Sequence, residues 1–535
     1  MNRKKQWTFG SVVFLVAATM TADSVSAGGT FTVLGVSKYD APTMGNLDND
    51  DAYVFRNNLL SNSNWSLTKE FYDSNVWDTD FVNYGNKSDI LMFTGHGSIL
   101  GRLCLAQYRT TNPNPRINYV DWNTIGSQWI GWDDTVDHDL EWAVFMSCDD
   151  LVQNGWGRTL ANGVHHIFGY KGISYETKDD SVINSFQIRF MGINRTPETM
   201  INAWINANVL CQEPNWAITG HKGNERDYFH FVSTGATADI SGTSDIYHWS
   251  GAGSYYLDVS KSGSMIKDVE EKNRPLGKLK IKHEKLDYTK LLDKIFKGKF
   301  KELGGSEFGS IVYSDGLSDL SVYPSGAILF ETRGNSLESV NFGEETAVKK
   351  AEEFINEHGG LPSDALLKEV IPFKMVQQEG NQEQVYAYQI KYQHNFEGVP
   401  ISGEMGDAIT LLVDNSGIRF YFRNWTQVDS KVENSIKDSI NEERVIELAK
   451  KNLPKKMKGI AEKEIEFRNV ELVYWSKPFM VDQEELSPAW KVSTNQGDIY
   501  IDAHNGQILD EEPLLKASNR FVIDEDSILE GSSKK

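Results

Sequence analysis

Two short blocks hold the residue types that a nucleophile–base pair requires. In Asp89-Ile90-Leu91-Met92-Phe93-Thr94-Gly95-His96-Gly97-Ser98 an apolar run ends at a histidine between glycines. In Trp142-Ala143-Val144-Phe145-Met146-Ser147-Cys148-Asp149-Asp150 a second run ends at a cysteine. Four or five apolar residues in succession read as a strand buried on both faces, as in a parallel sheet. In open α/β sheets the pocket lies outside the carboxyl ends of the strands, so His96 and Cys148 are expected to face each other there. A thiol titrates near about 8.5 and needs a base to supply thiolate at neutral pH. An imidazole, near about 6.5, can accept that proton and return it to a leaving amine. The expected chemistry is covalent acyl transfer. Taken singly, a buried cysteine or histidine is ordinary core material. The argument rests on the pair, 52 residues apart, each closing a buried strand.

Other chemistry-bearing residues fit less well. His165 and His166 are adjacent, so on a strand they point to opposite faces and do not converge on one ion. The chain has no His-Glu-x-x-His and no paired-cysteine spacing, so no metal ligands are assigned. A metal-dependent hydrolase using His96, His165 or His166 stays as a third alternative. Asp149 and Asp150 follow the cysteine, and Glu176, Asp179 and Asp180 follow the next strand. Carboxylates there would bind a substrate Arg or Lys, and they serve equally as helix caps and solvated loop residues. Asp48, Asn49, Asp50 and Asp51 precede an apolar pattern at helical spacing (Ala52, Phe55, Leu59), as an N-terminal cap should. The same oxygens would suit Ca²⁺ as a structural ion. No Gly-centred EF-hand loop surrounds them, which favours the cap.

These residues need a scaffold. Phe31–Val36 reads as a first strand, Val164–Tyr170 as another, and helices are expected over Gly155–Ala161, Val182–Met191 and Met200–Val209. Strand and helix alternate as in a parallel α/β sheet. Arg109 to Asp139 is long, polar and weakly patterned, the signature of functional loops. Eleven of the fourteen tryptophans and all three cysteines precede Gly253. A Lys/Glu-rich stretch then reads as a linker with a short helix. Beyond it the pattern is α+β. An amphipathic helix at Thr346–Ile355 is followed by strands at Val385–Tyr392 and Ile409–Phe422. The plan recurs with a helix at Glu443–Lys451 and strands at Val470–Trp475, Ala489–Thr494 and Asp498–Asp502, an internal duplication.

Residues 1–27 carry Arg3, Lys4 and Lys5, an apolar run and Val25-Ser26-Ala27, the features of a secretory signal cut after Ala27. A secreted, extracellular or cell-envelope protein is expected, with no membrane span once the signal is removed. Losing Arg3, Lys4, Lys5 and Asp23 takes the net charge from −21 to −23. Such acidity argues against nucleic acid or an anionic membrane as partner. Three cysteines in a secreted chain do not make a disulfide framework. A Cys104–Cys211 pair leaving Cys148 free is one arrangement open to them.

The strand ending in His-Gly and the strand ending in Ser-Cys resemble the caspase-like fold of the clan CD cysteine peptidases. Trp156-Gly157-Arg158-Thr159-Leu160-Ala161-Asn162-Gly163-Val164 resembles the helix and turn after the cysteine in gingipain-type members, and the Asp50-Asp51-Ala52 helix resembles their first helix. The resemblance implies a mostly parallel sheet flanked by helices and a protein or peptide substrate. It further implies a Cys148–His96 dyad with no cofactor, and the backbone N–H groups of Gly97 and Cys148 as oxyanion hole. Glycine at 97 suits that role because it lets a carbonyl approach closely. In the second half, Trp490-Lys491-Val492 and Gly497-Asp498-Ile499-Tyr500-Ile501-Asp502-Ala503-His504-Asn505-Gly506-Gln507-Ile508-Leu509 resemble a PepSY-type, cystatin-like α+β module. That resemblance implies a C-terminal region that restrains or chaperones the enzyme by intramolecular inhibition. The expected organisation is signal 1–27, catalytic domain 28–255, linker 256–309, first α+β repeat 310–428, second repeat 429–515 and tail 516–535. A secreted binding protein that keeps the sheet without the chemistry is the main alternative.

Overall fold

The computed structural model describes residues 29–40, 46–61, 65–98, 100–109, 116–121, 140–152, 156–172, 174–230, 233–235, 240, 243–251, 277–283, 286–333, 337–379, 382–432, 440–456, 467–494 and 497–509. The expected signal, tail and early linker lie outside these residues. In the first half, β1 (Thr30–Gly35), α1 (Asp50–Leu60), β2 (Ser66–Tyr72), α2 (Asp78–Asn83) and β3 (Ile90–Thr94) come first. They are followed by the short strands β4 (Gly97–Ser98), β5 (Arg102–Arg109) and β6 (Arg116–Val120), then β7 (Trp142–Met146), α3 (Gly157–Leu160) and β8 (His166–Tyr170). Helices α4 (Glu176–Met191) and α5 (Met200–Leu210) lead into β9 (Trp216–His221), the hairpin β10 (Tyr228–His230) and β11 (Ser233–Gly235), and β12 (Ile246–Ser250).

Strands β2, β1, β3, β7 and β8 lie side by side in parallel, in that order. Their apolar runs are buried throughout in β3, β7 and β8, as the absence of alternation requires. Strand β9 then adds antiparallel to β8, and β12 antiparallel to β9. Among the helices, α1 buries Ala52, Phe55 and Leu59, and Asp50 and Asp51 occupy its first turn, where negative charge favours the helix dipole. Helix α4 ends at Gly192, whose φ of 69° lets Ile193 N–H bond back to Ile188.

The second half begins with β13 (Leu279–His283), α6 (Tyr288–Phe296), β14 (Lys301–Gly305), β15 (Ile311–Ser314), β16 (Ser318–Val322), β17 (Ile328–Thr332) and α7 (Glu344–Glu357). It continues with β18 (Ala365–Gln377), β19 (Glu383–Phe396), β20 (Val399–Ser402), β21 (Ala408–Asp414), β22 (Gly417–Asn424) and β23 (Thr426–Lys431). Helix α8 (Glu442–Lys456), β24 (Phe467–Trp475), β25 (Glu485–Thr494) and β26 (Gly497–Asp502) complete it. The expected strand Ile409–Phe422 is in fact a hairpin. Asp414 accepts hydrogen bonds from Ser416 N–H and hydroxyl, and Gly417 takes a φ of 115°, so the chain reverses between β21 and β22. The later part of the expected linker is built structure, since β13, α6 and β14 fall within it. Helix plus antiparallel strands does occur twice. Helix α7 packs Ala347, Ala351 and Ile355 on the first set, and α8 packs Val445 and Ala449 against Trp490, Val492 and Ile501 of the second.

The two halves share one sheet. Strand β12 pairs antiparallel with β18 through Tyr247↔Gln377 to Ser250↔Lys374. The sheet continues as β18-β19-β21-β22-β17-β16-β15-β14, antiparallel at every step. Helices α4 and α5 pack against it, and every residue of α5 is buried. One core therefore joins Phe186, Phe190 and Trp204 to Phe373, Phe420, Phe422 and Phe479. Inside it, Arg189 of α4 bonds both Glu307 oxygens at 2.8 Å and Glu331 at 3.0 Å. Arg195 bonds Glu198 at 2.9 Å and Glu331 at 2.6 Å.

Removing one partner of a buried ion pair leaves an uncompensated charge and costs about 3–5 kcal/mol. Arg189→Ala is expected to lower the unfolding free energy by about that amount in urea titration, with both halves unfolding together. Residues 28–255 expressed alone expose the α4–α5 face. The expected result is an aggregated or expanded fragment on size-exclusion chromatography, rescued by co-expression with 256–535.

Candidate functional site

The register of β3 against β7 builds the site. Thr94 pairs with Met146 at the carboxyl end of both strands, and Gly95 N–H donates to the Met146 carbonyl at 3.2 Å. The two blocks therefore leave the sheet from neighbouring positions at one edge. Gly97 lies flat on the Cys148 peptide, where a Cβ would overlap the Cys148 carbonyl oxygen. Only glycine permits that approach. His96 is half-buried. Its backbone N–H donates to the Tyr39 hydroxyl at 2.6 Å, its carbonyl accepts from Cys104 N–H at 2.8 Å, and its ring lies 4.9 Å from that of Tyr39. Tyr39, in the loop after β1, thus positions the histidine. Nothing in the sequence pattern singles it out.

The cysteine turn is clamped from below. Asp150 is fully buried, accepting from the Ser147 hydroxyl at 2.9 Å and from Tyr170 N–H at 2.8 Å. It faces the β7–β8 junction, which corrects the expectation that it binds substrate. Asp149 takes a φ of 57°, a left-handed conformation that Asp tolerates better than most residues. Its N–H donates to Gly172 at 2.8 Å. The Cys148 Sγ accepts from Ser174 N–H at 3.4 Å and donates to the Ser174 carbonyl at 3.7 Å. Burial pushes the thiol well above its ordinary range, and Asp149, Asp179 and Asp150 push in the same direction. Both effects favour the neutral thiol. All three cysteines are free, so the Cys104–Cys211 pair is absent.

Carboxylates crowd the mouth around this turn. Asp179 is buried and accepts from the Ser174 hydroxyl at 2.7 Å, tying the acidic helix start to the residue that holds the thiol. Burial pushes Asp51 up to about 7, against the opposing hydrogen bond from the Thr94 hydroxyl at 2.6 Å. Asp180 rises to about 9 through burial and the charges of Asp51 and Asp50. Glu176 is exposed and accepts from Asp48 N–H at 2.7 Å, so solvent screens its share of the repulsion. Glu176, Asp179 and Asp180 thus cluster with Asp51 in one acidic mouth at the start of α4, and Asp179, together with Asp149, connects that cluster to Cys148. Among the described residues no group of three or more His, Cys, Asp or Glu is arranged to hold a metal ion. His165 and His166 do not converge on this site. Buried His165 contacts Asp227 at 2.5 Å, and His166 is buried beside Trp249, its pKa lowered by burial to about 3. No helix among the described residues is long and apolar enough to cross a membrane.

A family described as a domain of unknown function, DUF6345, matches residues 35–263, which contain His96 and Cys148. No curated protein matches the chain. Among solved structures, an uncharacterized protein from Eubacterium rectale is similar over 44% of this chain and 86% of its own, at 14% identity and a TM-score of 0.29. YycH from Bacillus subtilis is similar over 43% of this chain and 52% of its own, at 16% identity and a TM-score of 0.28, so the match spans about half of YycH.

Proposed function

We propose that the protein is a secreted cysteine endopeptidase of caspase-like fold that cleaves after basic residues. The observation that carries this reading is the Thr94↔Met146 register, which brings the His96 and Cys148 blocks into contact at the carboxyl edge of a parallel sheet. The strand order β2-β1-β3-β7-β8 in parallel, closed by antiparallel β9, supports the caspase-like assignment. His96 takes the thiol proton and the Cys148 sulfur attacks the peptide carbonyl carbon. The C–N bond breaks, the leaving amine receives the proton, and water hydrolyses the thioester. The N–H groups of Gly97 and Cys148 are assigned to the oxyanion.

The acidic mouth supplies the specificity. A substrate guanidinium or ammonium there offsets the charges of Asp149 and Asp179, which add to burial in raising the thiol, so binding the correct residue also favours the thiolate. The C-terminal half is assigned a scaffolding role, with its helix-plus-sheet units read as PepSY-like. Its sheet meets the first half at β12 and at the α4–α5 face. The raised thiol and its bonds to Ser174 favour a second reading, a non-catalytic binding protein on the same sheet.

With agmatine filling the acidic mouth at pH 7, iodoacetamide is expected to alkylate Cys148 at least about 10-fold faster than Cys104 or Cys211, with His96→Ala abolishing the excess. Arg- and Lys-amide substrates should be cleaved by the wild type and not by Cys148→Ala. Labelling that ignores His96, together with no cleavage, would select the binding-protein reading. The raised carboxyls make a separate pH prediction. Their protons are bound more tightly in the folded state, so the stability they confer is complete below pH about 4 and is lost as pH rises through 7 to 9. Thermal melting should fall across that window, and Asp51→Asn should flatten the fall.

A further inference from the structure

A second site lies at the opposite end of α4. That helix runs about 24 Å from the acidic mouth to the buried Arg189–Arg195 network. Above the network a cleft of about 750 Å³ opens between the two halves of the chain. One wall is the start of α5 with Tyr228, and the other is the open end of the β16–β17 hairpin, where Arg333 N–H donates to the Leu317 carbonyl at 3.1 Å.

The charges in this cleft are segregated. In the floor and the network beneath it, Glu198, Glu307, Asp319 and Glu331 pair, among the described residues, with Arg189 and Arg195. Two acceptors there lack a hydrogen-bond partner, Asp319 Oδ1 and Asn206 Oδ1, on residues that are 4% and 2% exposed. The Asn206 orientation is fixed because its Nδ2 donates to Glu198 at 2.8 Å. Asp319 uses its other oxygen on Thr196 N–H at 3.1 Å. Burying a carboxylate oxygen and an amide oxygen without donors is costly, and although Arg189 Nε and Arg195 Nε are likewise unpartnered, four carboxylates against two guanidiniums leave the floor short of positive charge. The rim is the reverse. Arg226 and Arg333 are exposed there, beside exposed Tyr228 and Leu317.

We propose that this cleft binds an arginine or lysine residue that carries a free α-carboxylate. The side-chain cation supplies donors to Asp319 and Asn206, the aliphatic stem packs on Leu317 and Tyr228, and the carboxylate pairs with Arg226 and Arg333. Free amino acids and peptides ending in Arg or Lys share this chemistry. Because the cleft is lined from both halves, such a ligand also ties them together. The site is independent of the Cys148 chemistry.

Isothermal titration calorimetry of the full-length Cys148→Ala protein tests the proposal with L-arginine, Nα-acetyl-L-arginine and agmatine. Saturable binding of one or both carboxylates is expected, at least about 10-fold tighter than agmatine. Acetyl-arginine binding as well as arginine indicates a peptide C-terminus, and arginine alone indicates the free amino acid. The exposed-rim variant Arg226→Ala/Arg333→Ala, which leaves the core intact, should weaken both carboxylates by about 10-fold or more, and Asp319→Asn should weaken all three ligands. No saturable binding of either carboxylate up to about 10 mM, or binding indifferent to the rim variant, overturns the proposal.

Discussion

The structure depends on the burial of α5. A helix with every residue out of water has no solvent face and must be covered on all sides. The parallel strands of the first half cover one side, and the β18–β22 surface covers another. Neither half supplies enough apolar surface alone, so the chain continues one sheet against the helix pair. The cost of enclosing α4 falls on its arginine, which is stable in that core only because Glu307 and Glu331 arrive from the second half. Apolar coverage and charge compensation thus come from the same strands, and the halves are mutually dependent.

At the other end of α4 the constraints are steric. Gly97 presses on the Cys148 peptide, Asp149 sits in a left-handed conformation and Asp150 anchors the turn to Ser147 and Tyr170. Unusual backbone geometry concentrated around one side chain is held only by rigid surroundings, and here the surroundings are the central strands. The acidic mouth stores a second kind of tension. Like charges gathered with little solvent keep their protons, and any cation that enters relieves them.

Much of the frame was legible in the sequence. Uninterrupted apolar runs identified β3 and β7, and the spacing of Ala347, Ala351 and Ile355 identified α7. Strands such as β2 and β14, whose residues are half or fully exposed, carry no such pattern and were missed. The Ile409–Phe422 stretch read as one strand because Asp414 and Gly417 interrupt it for only a few residues. At the site, the type and order of His96 and Cys148 were readable, as was the acidic character of their surroundings. Tyr39, Ser174 and Asp51 were not, because their roles come from contacts made by loops distant in sequence. Asp150 was misread for the same reason. Adjacency to the cysteine suggested substrate, whereas the alternation of the chain turns its carboxylate into the protein. The sequence likewise gives no sign that Glu307 and Glu331 belong to Arg189, more than a hundred residues away.

The shared edge between β12 and β18 bears on the covalent continuity of the molecule. Tyr247 to Ser250 and Lys374 to Gln377 are joined by backbone hydrogen bonds, and Trp216 packs edge-on against Phe373 at 5.1 Å. None of these contacts involves the chain between Gly251 and Gly277. A hydrolytic nick in that interval would release no piece. The product would be a heterodimer that migrates as one particle in native buffer and as two polypeptides in denaturant.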